Sequence, residues 1–453
     1  MDEDRRFASL PVFDRDGIFA FALFTPMLFI LQFGSYGALI FVLATLAFAV
    51  LRRRVLVAVV RERAFLLVFP AFAVISTMWS NVPYETLKHS LEFAVTILAA
   101  ILLCAPKNPR SMLCGLFAAF ALYTAVSFAL GHRVDVGDDG ARAFSGLNDS
   151  KNEEADVAAV GFVISLFLFF AGLWTRKFAQ AAVAGPAALL QAYVIAAAMS
   201  AGAVAGAAAS LAALLLLFTL RRLGAAARAL VLTAGTLFGL CVGGVFELSG
   251  STLVRSIAEM FGKDPTLTGR TYLWARAREL IAEHPILGQG FGAFWQQGNL
   301  DAEGLWQFAQ ITTREGFNFH NTLYDVLVSL GAAGAVIFAL SLLVGVARTA
   351  FGYIRQPGYV ACLWLALAAY LFVRMPTECV GINEFYFSTV LLFAALGAAR
   401  PLSRSAGMNW ARPVRAGAPA MPTSHAAAYA MPMQRSDSPL RPARVRWFES
   451  PAD

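Results

Sequence analysis

An arginine at 270 and a histidine at 320 are the residues in this chain best suited to chemistry on a charged substrate. Arg270 opens the stretch RTYLWARARELIAE. A helix starting at Thr268 or Thr271 and running to about Glu283 would place Leu273, Trp274, Ala277, Leu280 and Ile281 on one face. Arg270 would then project from that stripe, with Glu279 and Glu283 on the solvent side. A guanidinium on the buried face of an interfacial helix needs an anionic partner or a route to water. Amides at a helix start and a planar guanidinium fork together suit a phosphate. Snorkelling to lipid headgroups, or pairing with Glu283 or Asp264, are the structural alternatives. His320 stands in FNFHNT, where a polar stretch enters an apolar run. A neutral imidazole there could take a proton from a hydroxyl; the structural alternative is a hydrogen bond to a loop carbonyl.

Other candidates surround this pair. PILGQGFGAFW, residues 285–295, mixes turn formers with aromatics such as Trp295. Its glycines permit close backbone approach to a ligand, and aromatic faces suit sugar rings. No strand or βαβ unit precedes its GxGxxG-like string, so a nucleotide fold is rejected. The segment 132–156 reads as a solvated loop carrying Arg133, Arg142 and Lys151 among several acids, Glu153, Glu154 and Asp156 included. Its spacing fits no EF-hand. Lys151-Asn152, just before an apolar run, is placed to meet a phosphate at a bilayer surface. Glu92 and Asp325 fall inside or near apolar runs, where a charge is costly. The chain has 5 histidines, and His89, His132, His284 and His320 show no ligand spacing, so no metal is expected.

The elements that must position these residues are membrane helices. Hydrophobic residues make up 58% and charged residues 14% of the 453 residues, against about 45–50% and 25% in soluble domains. Apolar runs from 18–33 to 384–399 are each long enough to cross or nearly cross a hydrocarbon core, about twelve in all. An all-α polytopic membrane protein is expected, and continuous runs such as GALIFVLATLAFAVL exclude a β-barrel. Arg52, Arg53, Arg54, Arg61, Arg63, Lys107, Arg110, Arg176, Lys177, Arg221, Arg222, Arg228, Arg348 and Arg355 fall in loops of one side. Only Lys88, Arg133, Arg142, Lys151 and Arg374 fall in short loops of the other. That asymmetry puts both termini in the cytoplasm and the one large polar loop, 248–320, outside. The organisation expected is a cytoplasmic tail at 1–17, a transmembrane domain at 18–399 and a disordered cytoplasmic tail at 400–453, rich in Ser, Pro and Arg. The net charge of +7 therefore sets topology and does not indicate nucleic acid. The 5 cysteines have no paired spacing and read as small apolar residues. No cleavable signal peptide is evident after MDEDRR.

TGRTYLW, the following helix to EHPILGQGFGAFW, and FHNTLYDVLVSLGAAGAV resemble the signature region of bacterial O-antigen ligases and Wzy-type polysaccharide polymerases. TLTGRTYLW is most similar to the spelling in exopolysaccharide polymerases of the succinoglycan type, and GLNDSKNEEADVAAVG resembles their lysine-asparagine segment. The resemblance implies a metal-independent, inverting glycosyltransferase of GT-C-like architecture, in a bacterial inner membrane, with short helices in its periplasmic loop and no cofactor. It implies an undecaprenyl-pyrophosphate-linked glycan as donor and a glycan or lipid acceptor, lipid A-core in a ligase. Polysaccharide chain-length and export proteins are implied partners beside membrane lipids. It assigns donor binding to Arg270 and acceptor activation to His320; Lys151, Arg142, Asn321, Trp274 and Trp295 are the further residues expected to bind substrate. The chain departs from the family near Ser200, where MSAGAVAGA lacks the usual basic residue; Lys151 is the expected substitute, with Arg142 the other loop cation considered. A transporter or lipid-linked glycan flippase is the competing class, disfavoured because no repeated half-pattern is seen. An inactive scaffold of a polysaccharide assembly machine is the third reading, kept open by the missing cation.

Overall fold

A computed structural model describes residues 10–136, 140–248, 269–314 and 317–399. The tail from 400 onward, Asp138, Asp139, Asp264 and Thr268 lie outside them. The described residues are mostly helical. In chain order the helices are α1 Arg15–Leu28, α2 Ile30–Phe33, α3 Ser35–Leu51, α4 Arg53–Glu62, α5 Val68–Ile75, α6 Pro83–Leu103, α7 Pro109–Leu130, α8 Lys151–Trp174, α9 Phe178–Ala197 and α10 Ala201–Leu220. They continue as α11 Ala225–Leu248, α12 Arg270–Glu283, α13 Leu300–Phe308, α14 Thr322–Arg355, α15 Tyr359–Arg374 and α16 Phe387–Gly397. Six of them, α6 to α10 and α14, are long and apolar enough to cross a membrane. Shorter apolar helices lie at Ser35–Leu51, Ala64–Met78, Ala225–Gly239, Tyr359–Arg374 and Phe387–Gly397.

Helix ends follow local chemistry. Pro83 and Pro109 open α6 and α7, where a missing N–H costs nothing. Asn108 caps α7 by accepting from the Ser111 N–H at 3.1 Å, and Ser150 caps α8. α6 thus begins ahead of the apolar run that contains Glu92, which puts Glu85, Lys88, His89 and Glu92 on its first turns. The expected first span, 18–33, is divided into α1 and the single turn α2, and Gly34 (φ 52°) turns the chain into α3.

The segment 132–156 corrects the expectation of a solvated loop. Strands β1 His132–Val136 and β2 Ala141–Gly146 pair as an antiparallel hairpin. The following residues enter α8, which carries Glu154 and Asp156 into the protein at 1% and 9% exposure. Glu154 accepts from the Tyr123 hydroxyl at 2.9 Å and the Ser127 hydroxyl at 2.7 Å. These acids are buried because each has hydrogen-bond partners, which sequence spacing does not reveal.

One core of apolar side chains runs through the helices, with α8 against α9, α1 against α7 and α10 against α15. A second, smaller core gathers Leu273, Ala277 and Leu280 of α12 with Phe294, Trp306, Phe319 and Val328. It fastens the polar region to the start of α14.

Candidate active site

Arg270 is the first residue of α12, after Gly269 in the left-handed region (φ 85°). The expected amphipathic face forms: Leu273, Ala277 and Leu280 are buried, Trp274 and Ile281 partly so, and Glu279 and Glu283 are exposed. Burial of that face holds the guanidinium inward, at 13% exposure. Its described partner is not Glu283. Arg270 Nη2 donates to Glu378 Oε1 at 2.7 Å, a residue that the sequence analysis did not single out.

His320 reaches the same carboxylate. Its backbone is left-handed (φ 50°), and its N–H donates to Asn318 Oδ1 at 2.8 Å. Asn321 then caps α14, accepting from the N–H groups of Leu323 and Tyr324 at 2.9 and 3.2 Å. This abrupt turn from loop to helix aims the imidazole at Glu378, with Nδ1 at 3.0 Å from Oε2. Beside an ionised carboxylate, Nδ1 carries the proton and donates, which leaves Nε2 as the basic nitrogen.

Thr322 clips the two chain segments together. Its N–H donates to the Met375 carbonyl at 2.9 Å, its hydroxyl donates to the Glu378 carbonyl at 2.9 Å, and the same oxygen accepts from the Val380 N–H. Trp274 Nε1 donates to the Phe319 carbonyl at 2.9 Å, joining α12 to the residue before His320.

Glu378 is supported from below by a buried ion network. Tyr370, Arg374 and Glu378 recur at i, i+4 and i+8, since the turn after α15 continues through Glu378 N–H donating to the Arg374 carbonyl at 2.8 Å. Arg374 Nη2 lies 3.2 Å from Glu378 Oε1. Arg374 also binds Asp156 through Nε at 2.7 Å and Nη2 at 3.0 Å, and the Tyr370 hydroxyl joins the same aspartate. Burial works to raise the Glu378 carboxyl, but the His320 hydrogen bond and the Arg270 and Arg374 charges prevail, bringing it down to about 2. Glu378 is therefore an anion at any pH near neutrality.

Gly202, in the first turn of α10, faces Arg374, and a Cβ at 202 would overlap Nη1 of that guanidinium. Arg374 of α15 therefore stands beside the MSAGAVAGA segment, across a gap that glycine leaves open. Lys151, the substitute expected from sequence, is the first residue of α8, and Arg142 sits in the hairpin, paired with Asp135 at 3.2 Å with both side chains exposed. Gly202→Ala should lower stability by about 1–3 kcal/mol through overpacking, read as a fall in the detergent-solubilised protein's melting temperature; an unchanged melting temperature would remove this close approach.

The remaining sequence candidates divide. Asn321 is 2% exposed and its carboxamide is engaged at both ends, capping α14 and donating to the Pro376 carbonyl at 3.2 Å. Trp274 and Trp295 are partly buried, and Trp295 packs on Phe294, Trp306, Phe317 and Phe319. The glycine turn at 285–295 shows its close approach to protein backbone. Gln289 and Gly290 N–H groups donate to the carbonyls of Val328 and Ser329 at 3.0 and 2.8 Å, where α14 kinks at Gly331 (φ 61°). A Cβ at Gly288 would lie 2.5 Å from the Leu330 nitrogen. Asp325 is buried and accepts from the Phe319 N–H. His89, lacking ligand spacing in sequence, meets Glu92 and Glu384 with ligand atoms within 4.8 Å, and its Nδ1 is hydrogen-bonded to Glu384 at 2.7 Å. That partner comes from a distant loop.

Residues 186–339 match the family described as O-antigen ligase. The chain is also 29% identical over 342 residues to the exopolysaccharide production protein ExoQ of Rhizobium meliloti (strain 1021), covering 73% of this chain and 75% of that one. Over these stretches the chain is similar to O-antigen ligases and to an exopolysaccharide production protein. The stretch matched by the family holds Gly202, Arg270 and His320; Arg374 and Glu378 lie beyond its end. That similarity agrees with the six long apolar helices, which are those of a multi-pass membrane protein.

Proposed function

We propose that this protein is a glycosyltransferase that polymerises glycan repeat units carried on undecaprenyl pyrophosphate, at the outer face of a bacterial inner membrane. The observation that carries the reading is the meeting of Arg270 and His320 on one carboxylate. A fixed cation suits the diphosphate, and an oriented imidazole suits the acceptor hydroxyl. His320 Nε2 takes the proton as the acceptor oxygen attacks the anomeric carbon opposite the leaving group. The new glycosidic bond forms with inversion. The anomeric carbon–oxygen bond breaks, and its electron pair leaves on the lipid diphosphate. Arg270 stabilises the negative charge that grows there, a role for a preorganised cation in a site of low dielectric. Glu378 stabilises the imidazolium until it loses its proton to water. With Arg270 as the cation, this scheme uses no metal.

The same proposal includes about twelve spans, both termini in the cytoplasm and segment 248–320 in the periplasm, as loop charge favours. Polymerisation is preferred to ligation onto lipid A-core because the similarity to an exopolysaccharide production protein spans most of both chains. Chain-length and export proteins are the partners such a polymerase would serve. A deletion strain tests the choice. Loss of polymer with single repeats retained is the expected result; polymer stranded on the carrier lipid would instead identify a ligase. Purified protein should lengthen undecaprenyl-diphosphate-linked repeats without added metal, and failure with every such donor would refute the reading.

A further inference from the structure

Glu378 is in an unusual position for an acid at a site read as binding a diphosphate. One carboxylate oxygen holds Arg270 at 2.7 Å and Arg374 at 3.2 Å, and the other holds His320 at 3.0 Å. The side chain is 13% exposed, so these charges interact with little screening. Two cations, Arg270 and Arg374, already face two anions, Glu378 and Asp156. A dianionic diphosphate entering this balanced cluster must displace an anion from a cation or bear its repulsion. Arg374 is fixed by two hydrogen bonds to Asp156 and is 2% exposed. Arg270 has a single described hydrogen bond to Glu378 and is the more exposed of the two arginines. It is therefore the cation that can change partners.

We propose that Glu378 is a resident stand-in for the donor diphosphate: it holds Arg270 in the empty enzyme, yields it when donor binds, and keeps its other oxygen on His320. This rests on the proposed function and assigns Glu378 two opposed effects. As an anion it weakens donor binding. As the acceptor from Nδ1 it fixes the imidazole tautomer needed for proton removal, the arrangement that lets a carboxylate orient a catalytic histidine. Arg374, held by Asp156, keeps the carboxylate in place during the exchange. Glu378 and Arg374 are thus positioning residues, acting through His320 and Arg270.

Neutralising Glu378 should separate the two effects. Full-length Glu378→Gln protein in nanodiscs should bind farnesyl diphosphate about tenfold more tightly, since one buried negative charge facing the probe is removed. Its turnover on a lipid-linked repeat should fall by roughly 10²-fold or more as the base loses its orientation. KM and kcat would fall together, which a merely structural defect would not produce. Glu378→Asp, too short to span both partners, should bind the probe with intermediate affinity. Equal or weaker probe binding by Glu378→Gln would overturn the proposal, as would unaltered turnover. In wild-type protein, infrared difference spectra on adding farnesyl diphosphate should show a carboxylate band shift; an unaltered carboxylate region would overturn it even if both variants fail to insert. Full activity of Arg270→Ala or His320→Asn would instead refute the underlying functional reading.

Discussion

Arg270→Ala protein should reach the membrane at wild-type abundance and make no long polymer. Its helix does not depend on the guanidinium, because α12 is anchored by Leu273, Ala277 and Leu280, all buried at 4% exposure or less. Nor would Glu378 be left alone, since Arg374 and His320 still contact it. On the proposed mechanism, what is lost is the cation that faces the charge growing on the leaving diphosphate. Removing one such donor lowers rates by roughly 10²–10³-fold, and loss of a full charge places this variant at or beyond the upper end. Over many rounds of addition, that factor removes long chains. The measurement is a gel of extracted polysaccharide beside an immunoblot for the protein. Wild-type chain length at normal abundance would end the assignment. Arg270→Lys retains charge without the planar fork, and should recover only part of the activity.

His320→Asn should bind the lipid-linked donor and fail to transfer it. Asparagine is the informative replacement because residue 320 is left-handed (φ 50°), a conformation that asparagine tolerates better than alanine. The turn into α14 should survive, with Asn321 still capping the helix. Losing a general base costs roughly 10²–10⁴-fold in rate. Donor binding measured by equilibrium dialysis should stay within about threefold of wild type, because the base does not hold the diphosphate. Transfer near the wild-type rate, or loss of donor binding alongside transfer, would separate His320 from proton removal.

Most of the architecture was legible because membrane helices are written in local terms. A run of apolar residues must satisfy its own backbone in lipid, so length and composition alone mark helices such as α8 and α14. The apolar face of α12 was equally local, since Leu273, Ala277 and Leu280 recur at helical spacing and are all buried. The segment 132–156 was misread for the converse reason. Its acids look solvated in sequence, but Glu154 and Asp156 lie inside, satisfied by Tyr123, Ser127, Tyr370 and Arg374. Those partners come from helices far along the chain.

By itself, the sequence determined a helical membrane protein and marked Arg270 and His320, because residue type, periodicity and charge placement are properties of short stretches. Tertiary structure alone decided that both residues share Glu378, that Arg374 stands beside Gly202, and that Asp156 neutralises it. The spacing of Tyr370, Arg374 and Glu378 was visible at the end of an apolar run, but not what they face. The physical reason is that a buried charge is tolerated only with a counter-charge, and that counter-charge arrives from whichever helix packing brings near.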